Sequence, residues 1–149
     1  MEIVGGSCRF GLWFVHVRWN DTTVYQVRFA TTGIPGEVPN LIRQYCAGQV
    51  VSPERLDSIA THEDTVYSRI YRAVRQVPYG STSTYGEIAA TVGTSPRVVG
   101  QAMARNPTPL VIPCHRILAA HGTGGFSPDV EIKVALLARE KKGLRKGER

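Results

Sequence analysis

The sequence predicts an α/β fold in which a small antiparallel sheet precedes a mostly helical region. Residues 9–29 are rich in Val, Phe, Trp and Tyr and alternate in polarity, which is typical of strands. From residue 63 onward, apolar residues recur at helical spacing and are separated by capping signals. We therefore expect an N-terminal sheet domain over residues 1–61 and a C-terminal domain over residues 62–149, with the boundary in the connector 51–61.

The N-terminal half is expected to contain a hairpin and a short helix. Residues 12–19 and 24–29 have strand composition, and the polar residues 20–23 between them have turn composition. The tryptophans and phenylalanines of these strands are more typical of a sheet core than of a base-stacking platform. A helix is predicted over residues 38–47 because Gly48 follows it, and glycine commonly ends helices.

The C-terminal half begins with a predicted helix over residues 63–77, which Pro78 ends. Apolar residues in this segment follow one helical stripe, and Arg69, Arg72 and Arg75 lie off it. The simplest interpretation of these arginines is a solvated helix face.

Two further helices form a predicted helix-turn-helix. Thr84 and Glu87 fit a capping box, and Gly93 suits the end of that helix. Ser95 then caps a second helix that runs to about residue 105 and would be the recognition helix. The small residue Gly100 allows a close approach to another surface, either a packed helix or DNA.

The most distinctive stretch follows this motif. Residues 110–112 are apolar and predict a short buried strand that Pro113 ends. Cys114, His115 and Arg116 then bring a thiol, an imidazole and a guanidinium together. A free cysteine usually only packs, but a neighbouring cation or imidazole lowers a thiol's pKa and makes it nucleophilic. This order of residues therefore favours a reactive thiol.

The charge distribution indicates an anionic partner. The net charge is +6, and residues 1–61 contribute none of it because their five arginines balance five acidic residues. The excess lies in the half that contains Cys114, which suggests nucleic acid. Residues 141–149 supply four of the six charges, so a basic tail that only aids solubility explains part of this signal.

The remaining composition indicates a globular intracellular chain. Hydrophobic residues make up 42% and charged residues 20%, no apolar run reaches membrane-spanning length, and no signal peptide is evident, so we expect a cytoplasmic location. The three cysteines are few and far apart, which argues against a disulfide framework but leaves a Cys8–Cys46 bridge open. Cys8 is expected near an unstructured terminus. The cysteines and histidines lack tight ligand spacing, so zinc is not expected.

The stretch from Asn106 to Ile117, with Pro113-Cys114-His115-Arg116 at its centre, resembles the active-site signature of the O6-alkylguanine-DNA alkyltransferases. The resemblance covers residues 62–142. It implies a helix-turn-helix, winged-helix-like C-terminal domain that repairs DNA by transferring an alkyl group from O6-alkylguanine to Cys114. By the same resemblance, His115 deprotonates this thiol through a water molecule and Glu140 orients the imidazole.

The resemblance assigns further roles. Tyr85 would donate a proton to the leaving guanine, and Arg97 would fill the gap that a flipped base leaves in the duplex. Asn106 would brace the turn before the active site, and Phe126 and Ser127 would close on the flipped base. The DNA-contacting set is Ser95, Arg97 and Gly100, and Arg116 is grouped with the substrate-binding or structural residues. The family often has tyrosine at position 126 and glycine where Pro128 stands, which affects the shape of this loop and the size of adduct it admits.

Three other functions fit the sequence less well. A cysteine hydrolase would need an oxyanion hole and would leave the helix-turn-helix without a role. A non-catalytic lesion sensor would lack the acceptor cysteine, and a sequence-specific regulator would leave the Pro-Cys-His-Arg stretch idle. The favoured interpretation is single-turnover alkyl transfer by a monomer acting on double-stranded DNA. This reaction implies no cofactor and no membrane partner, and action on O4-alkylthymine stays open.

Overall fold

The computed structural model describes residues 1–147, with side chains to residue 145, so Glu148 and Arg149 of the basic tail lie outside the described residues. Its N-terminal part is an antiparallel sheet of β1 (Val4–Phe10), β2 (Trp13–Trp19) and β3 (Val24–Ala30) in that order. The predicted hairpin is β2–β3, and its strands are confirmed. Val24, Val27 and Phe29 of β3 are buried, and the alternation expected of a strand holds from Val27 to Phe29, beyond an irregularity in the β2–β3 register near Val24.

The strand β1 was missed by sequence reasoning, and the expectation of an unstructured terminus at Cys8 is wrong. Cys8 lies in the edge strand β1 and pairs with Val15 of the central strand β2. Glycines at positions 5 and 6 hid the strand, because glycine is depleted in strands. Gly6 has a packing reason, since a Cβ on it would overlap the carbonyl group of Glu37.

Helix α1 (Asn40–Cys46) follows the sheet as predicted, and Gly48 beyond its end adopts a left-handed φ of 100°. The connector then forms two 3-10 turns, Pro53–Arg55 and Ile59–Thr61.

The connector is held to the helical region by arginines that were expected to be only solvated. Arg72 Nη2 donates to the Thr61 carbonyl at 2.9 Å, and Arg75 Nη2 donates to the Glu54 carbonyl at 2.6 Å. Arg69 is exposed and pairs with Asp64 at 3.3 Å.

The helical region contains α2 (Val66–Val74), α3 (Tyr85–Val92) and α4 (Pro96–Ala104), which pack against one another. The predicted caps are confirmed: Thr84 accepts from the Glu87 amide, Ser95 accepts from the Val98 amide, and Gly93 ends α3 in the left-handed conformation. The core of this region is formed by buried apolar residues that include Ile70, Val74, Ile88, Val99, Ile112 and Ile117.

The predicted strand over residues 110–112 is wrong, because this apolar segment is a buried turn. Leu110 has a φ of 75°, and a 3-10 turn, Cys114–Arg116, follows. Leu110 and Val111 pack into the N-terminal core whereas Ile112 packs into the helical core, so the backbone turns between two cores instead of extending.

A short β-strand begins directly after the Cys114–Arg116 turn. The short strand β5 (Ile117–Leu118) pairs in parallel with β4 (Ser83–Thr84), the strand that leads into α3. This pairing ties the start of the helix-turn-helix to the segment that carries Cys114.

The last helix, α5 (Val130–Gly147), buries a different face from the predicted one. In the sequence, Val130, Val134 and Leu137 recur at helical spacing, which predicts a last helix with these residues on one apolar face, but Val134 is 44% exposed. The buried residues are Ile132, Lys133, Leu136 and Glu140. The apolar pattern predicted the wrong buried face because two of the buried residues, Lys133 and Glu140, are charged and are stabilised by polar partners.

Ile132 and Leu136 of α5 pack into the core of the N-terminal sheet. The fold class is confirmed as a small antiparallel sheet followed by a mostly helical region, and the domain boundary in residues 51–61 stays a prediction. Within residues 1–147, no helix combines the length and the apolar character needed to cross a membrane.

Candidate active site

A cavity of about 450 Å³ lies beside Cys114. One wall is residues 26–29 of β3, the second is the α4 face that carries Gly100 and Met103, and the third is the loop that carries Phe126 and Ser127. Phe126 packs edge-on against Phe29 with ring centroids 5.7 Å apart, which anchors this loop to the N-terminal sheet. The sheet's contribution to the cavity was not predicted.

The thiol of Cys114 lines this cavity and is 6% exposed. Burial raises its pKa, and the Asn106 side chain, the charge of Lys133 and the backbone amides of Cys114 and His115 partly offset this. The thiol of Cys114 is therefore desolvated, and the groups around it stabilise its thiolate form.

His115 and Glu140 meet behind the thiol. His115 Nε2 lies 2.6 Å from Glu140 Oε2, and both side chains are 1% exposed. Because the carboxylate only accepts, the imidazole proton is assigned to Nε2 and Nδ1 keeps a lone pair. Nδ1 is buried and has no hydrogen-bond partner among the described residues, so it is available as a proton acceptor. Burial lowers the pKa of His115 and keeps it neutral, against the opposing effect of Glu140.

Arg116 neutralises the same carboxylate. Arg116 Nε donates to Glu140 Oε1 at 2.9 Å, and its Nη1 donates to the Val77 carbonyl at 2.8 Å and pairs with Glu54 at 3.2 Å. Burial alone would raise the pKa of Glu140, but the hydrogen bonds and charges of His115 and Arg116 outweigh it and lower that pKa to about 2. Arg116 therefore holds the carboxylate rather than facing the cavity.

Asn106 connects α4 to the thiol-bearing turn. Its Nδ2 donates to the Ile112 carbonyl at 2.9 Å, and its Oδ1 accepts from the Thr108 amide at 3.0 Å. These two bonds fix the turn on which Cys114 stands.

Tyr85, the first residue of α3, also lines the cavity. Burial raises its pKa, so the phenol stays protonated near neutral pH and can donate. Gly124 runs close beside this ring, and a Cβ on that glycine would lie 2.7 Å from the Tyr85 hydroxyl. The loop therefore needs glycine at this point to lie against Tyr85.

Lys133 was missed by sequence reasoning. It is 1% exposed, donates to the Ile117 carbonyl at 2.6 Å and lies 5.9 Å from the centroid of the Tyr85 ring. Burial lowers its pKa, and Cys114 acts in the opposite direction. Its spacing could have revealed it, because Lys133 lies seven residues before Glu140 and two helical turns place both residues on the same face of α5.

The recognition helix presents an exposed start. Ser95 and Arg97 are exposed, whereas Gly100 lies at the cavity, where a Cβ would meet no described atom within 4 Å. No described neighbour therefore requires glycine at position 100, so tight packing against another helix does not explain this glycine.

Residues 1–147 contain no cluster of three or more metal-binding side chains. Cys8 and Cys46 are free thiols, so they are unbridged in this structure, and Cys46 is the main cause that lowers the pKa of Cys8. His16 lies 2.6 Å from the Thr32 carbonyl oxygen, and His62 lies 2.5 Å from Asp57.

Comparison with known proteins identifies similar chains. Residues 65–142, about half of the chain, match the family model described as the 6-O-methylguanine DNA methyltransferase, DNA binding domain. A methylated-DNA–protein-cysteine methyltransferase from Metallosphaera sedula is 53% identical over 72 residues, which are 48% of this chain and 46% of that protein. The matched segment thus spans less than half the length of this relative.

Two solved structures resemble nearly the whole chain. Mycobacterium tuberculosis OGT in complex with DNA has a TM-score of 0.75 at 25% identity, covering 92% of each chain. The O6-methylguanine-DNA methyltransferase of Pyrococcus kodakaraensis has a TM-score of 0.70 at 24% identity, covering 93% of this chain and 99% of that one.

Proposed function

Because the chain belongs to the 6-O-methylguanine DNA methyltransferase family, we propose that it repairs alkylated double-stranded DNA by transferring the alkyl group from O6-alkylguanine to Cys114. The substrate is a base flipped out of the duplex, and the protein acts as a monomer in a single turnover. The observation that carries this proposal is the juxtaposition of a buried thiol, an adjoining cavity and a His115–Glu140 pair behind the thiol.

The proposed reaction is a displacement at the alkyl carbon. Cys114 loses its proton through a water molecule to His115, whose imidazolium Glu140 stabilises. The sulfur forms a bond to the alkyl carbon as the bond from that carbon to O6 breaks. Tyr85 donates a proton to the departing guanine and is left as a phenolate. The proton that His115 took from the thiol then returns through water to this phenolate, which restores both side chains to their neutral forms. The product is a thioether, which has no acyl group for water to attack, so the protein is consumed.

The cavity supports a flipped base as the substrate. Guanine O6 is inaccessible to a buried thiol while the base is stacked, and extrusion costs least for a damaged pair. Asn106 holds the reactive turn in place, and Phe126 and Ser127 form a wall from a loop able to close on the base. The closest rivals are weaker: a hydrolase would need an oxyanion hole, and a sequence-specific regulator needs no reactive thiol.

DNA binding is assigned to the exposed start of α4. Ser95, Arg97 and Gly100 lie on this helix, and backbone contacts without base readout suit a lesion that occurs in any sequence. The DNA complex of the Mycobacterium tuberculosis relative supports DNA as the partner.

Replacing Arg97 by alanine tests this assignment. Arg97→Ala is expected to slow repair of O6-methylguanine in duplex DNA by about 10–100-fold, because the vacated stack is no longer filled and extrusion costs a few kcal/mol. Reaction with the free base O6-benzylguanine should stay within about twofold, since no extrusion is needed.

Arg18→Ala is the matched control, because it removes one exposed arginine from the N-terminal sheet and lowers the net charge equally. It should leave both rates unchanged. Equal losses on duplex and free base in Arg97→Ala would contradict a flipping role.

A further inference from the structure

A tyrosine from the N-terminal half reaches the buried pair behind the thiol. Tyr45, at the end of α1, is 1% exposed. Its hydroxyl donates to Glu140 Oε2 at 2.6 Å and lies 3.4 Å from His115 Nε2. No sequence motif pointed to this residue, because α1 precedes Glu140 by some ninety positions.

We propose that Tyr45 is a positioning residue for alkyl transfer, which sets the geometry and basicity of Glu140 and thereby the protonation of His115. This inference rests on the proposed function. It gives the N-terminal half a part in the chemistry that the family's DNA-binding domain alone, residues 65–142, does not supply.

The hydrogen-bond geometry supports this role. Glu140 Oε2 accepts from the Tyr45 hydroxyl and from His115 Nε2, each at 2.6 Å, and more distantly from Arg116 Nη2 at 3.1 Å. Burial and the neighbouring Glu140 carboxylate raise the pKa of Tyr45 well above its ordinary value, so the phenol remains a donor throughout the working pH range. A donor on Oε2 withdraws negative charge from that oxygen and restricts the orientation of the carboxylate towards His115.

Other charged and titratable groups also surround the His115–Glu140 pair. Arg116 donates to both oxygens of Glu140, and Glu54 from the connector pairs with Arg116. Tyr79 follows α2 and packs edge-on against Tyr45, with ring centroids 5.9 Å apart. Each of these groups stays in place when only the Tyr45 hydroxyl is removed.

Tyr79 provides a matched control. Its ring lies in the same cluster, and Arg116 lies 5.8 Å from its centroid. Its hydroxyl is buried but has no hydrogen-bond partner among the described residues, and it makes no bond to Glu140. Tyr45→Phe and Tyr79→Phe therefore remove the same atom from adjacent rings, one bonded to the carboxylate and one not.

The test is the pH dependence of the alkylation rate with free O6-benzylguanine, measured for the wild type and both variants. Tyr45→Phe is expected to react about tenfold more slowly at neutral pH, the size of one lost hydrogen bond to a charged group. Its acid limb should move to higher pH, because a more basic Oε2 stabilises protonated His115. Tyr79→Phe should match the wild type in rate and profile.

A second variant predicts the opposite shift and keeps the ring in place. 3-Fluorotyrosine at position 45 is a stronger donor, so its acid limb should move to lower pH. An unmoved limb in both Tyr45 variants, or a loss that is uniform with pH, would overturn the proposal. If the wild type accepts no alkyl group even from O6-methylguanine duplex, the proposed function fails and not this inference alone.

Discussion

Replacing Cys114 by serine is expected to abolish alkyl transfer completely while DNA binding persists. A serine hydroxyl is far less nucleophilic than a thiolate, and the site offers a neutral His115 as its base. The binding surface on α4 does not include the sulfur, so the variant should still retain methylated duplex in a gel-shift measurement. Serine is nearly the same size as cysteine, so the buried turn should remain folded.

Cys8→Ser is the control for this prediction. Cys8 is a half-buried thiol in β1 and contacts Cys46 rather than the cavity. That variant should accept an alkyl group at the wild-type rate. Alkyl transfer that persists in Cys114→Ser, or is lost in Cys8→Ser, would show that Cys114 is not the sole acceptor of the alkyl group.

Replacing Glu140 by glutamine is expected to produce the second largest effect, on stability and rate together. Every group that contacts this carboxylate is a donor: the Tyr45 hydroxyl, His115 Nε2, the Arg116 guanidinium and the Gly80 amide. A glutamine amide group would face at least one of these donors with its own N–H groups. Arg116 would also lose its main counter-charge at a fully buried site, which costs about 3–5 kcal/mol of unfolding free energy.

The rate should fall at least about 100-fold in the same variant, because the imidazolium of His115 loses its stabilising charge. The apparent pKa of the thiol should rise in the pH–rate profile for the same reason. The depressed pKa of Glu140, about 2, means that its stabilising contribution is present above its ordinary pKa and is lost as the pH falls towards 2. Glutamine at position 140 should therefore flatten acid unfolding in this range.

Glu131→Gln is the matched control, because Glu131 lies on the same helix and is exposed. It should unfold and react as the wild type does. A Glu140→Gln variant with an unchanged pH–rate profile would remove Glu140 from the reaction.

Local signals in the sequence were enough to predict much of the helical region. Thr84, Ser95 and Gly93 act through bonds within a few residues, so their capping roles are visible without tertiary structure. The same holds for the hairpin β2–β3, whose turn and strands are adjacent in the chain.

The errors arose where tertiary contacts decide the local structure. The apolar residues 110–112 have strand composition, but they supply two different cores and so form a turn. The face of α5 was misassigned because Lys133 and Glu140 are buried by partners from distant segments. Tyr45 could not be predicted for the same reason, since it contacts Glu140 across a separation of 95 residues in the chain.

The most direct test of the central claim is whole-protein mass spectrometry after exposure to excess O6-methylguanine duplex, followed by peptide mapping. The wild type is expected to gain one methyl group per molecule, located on Cys114, and then to stop reacting however much substrate remains. Sustained turnover of the methylated duplex, or a methyl group on Cys8 or Cys46 instead, would contradict the account.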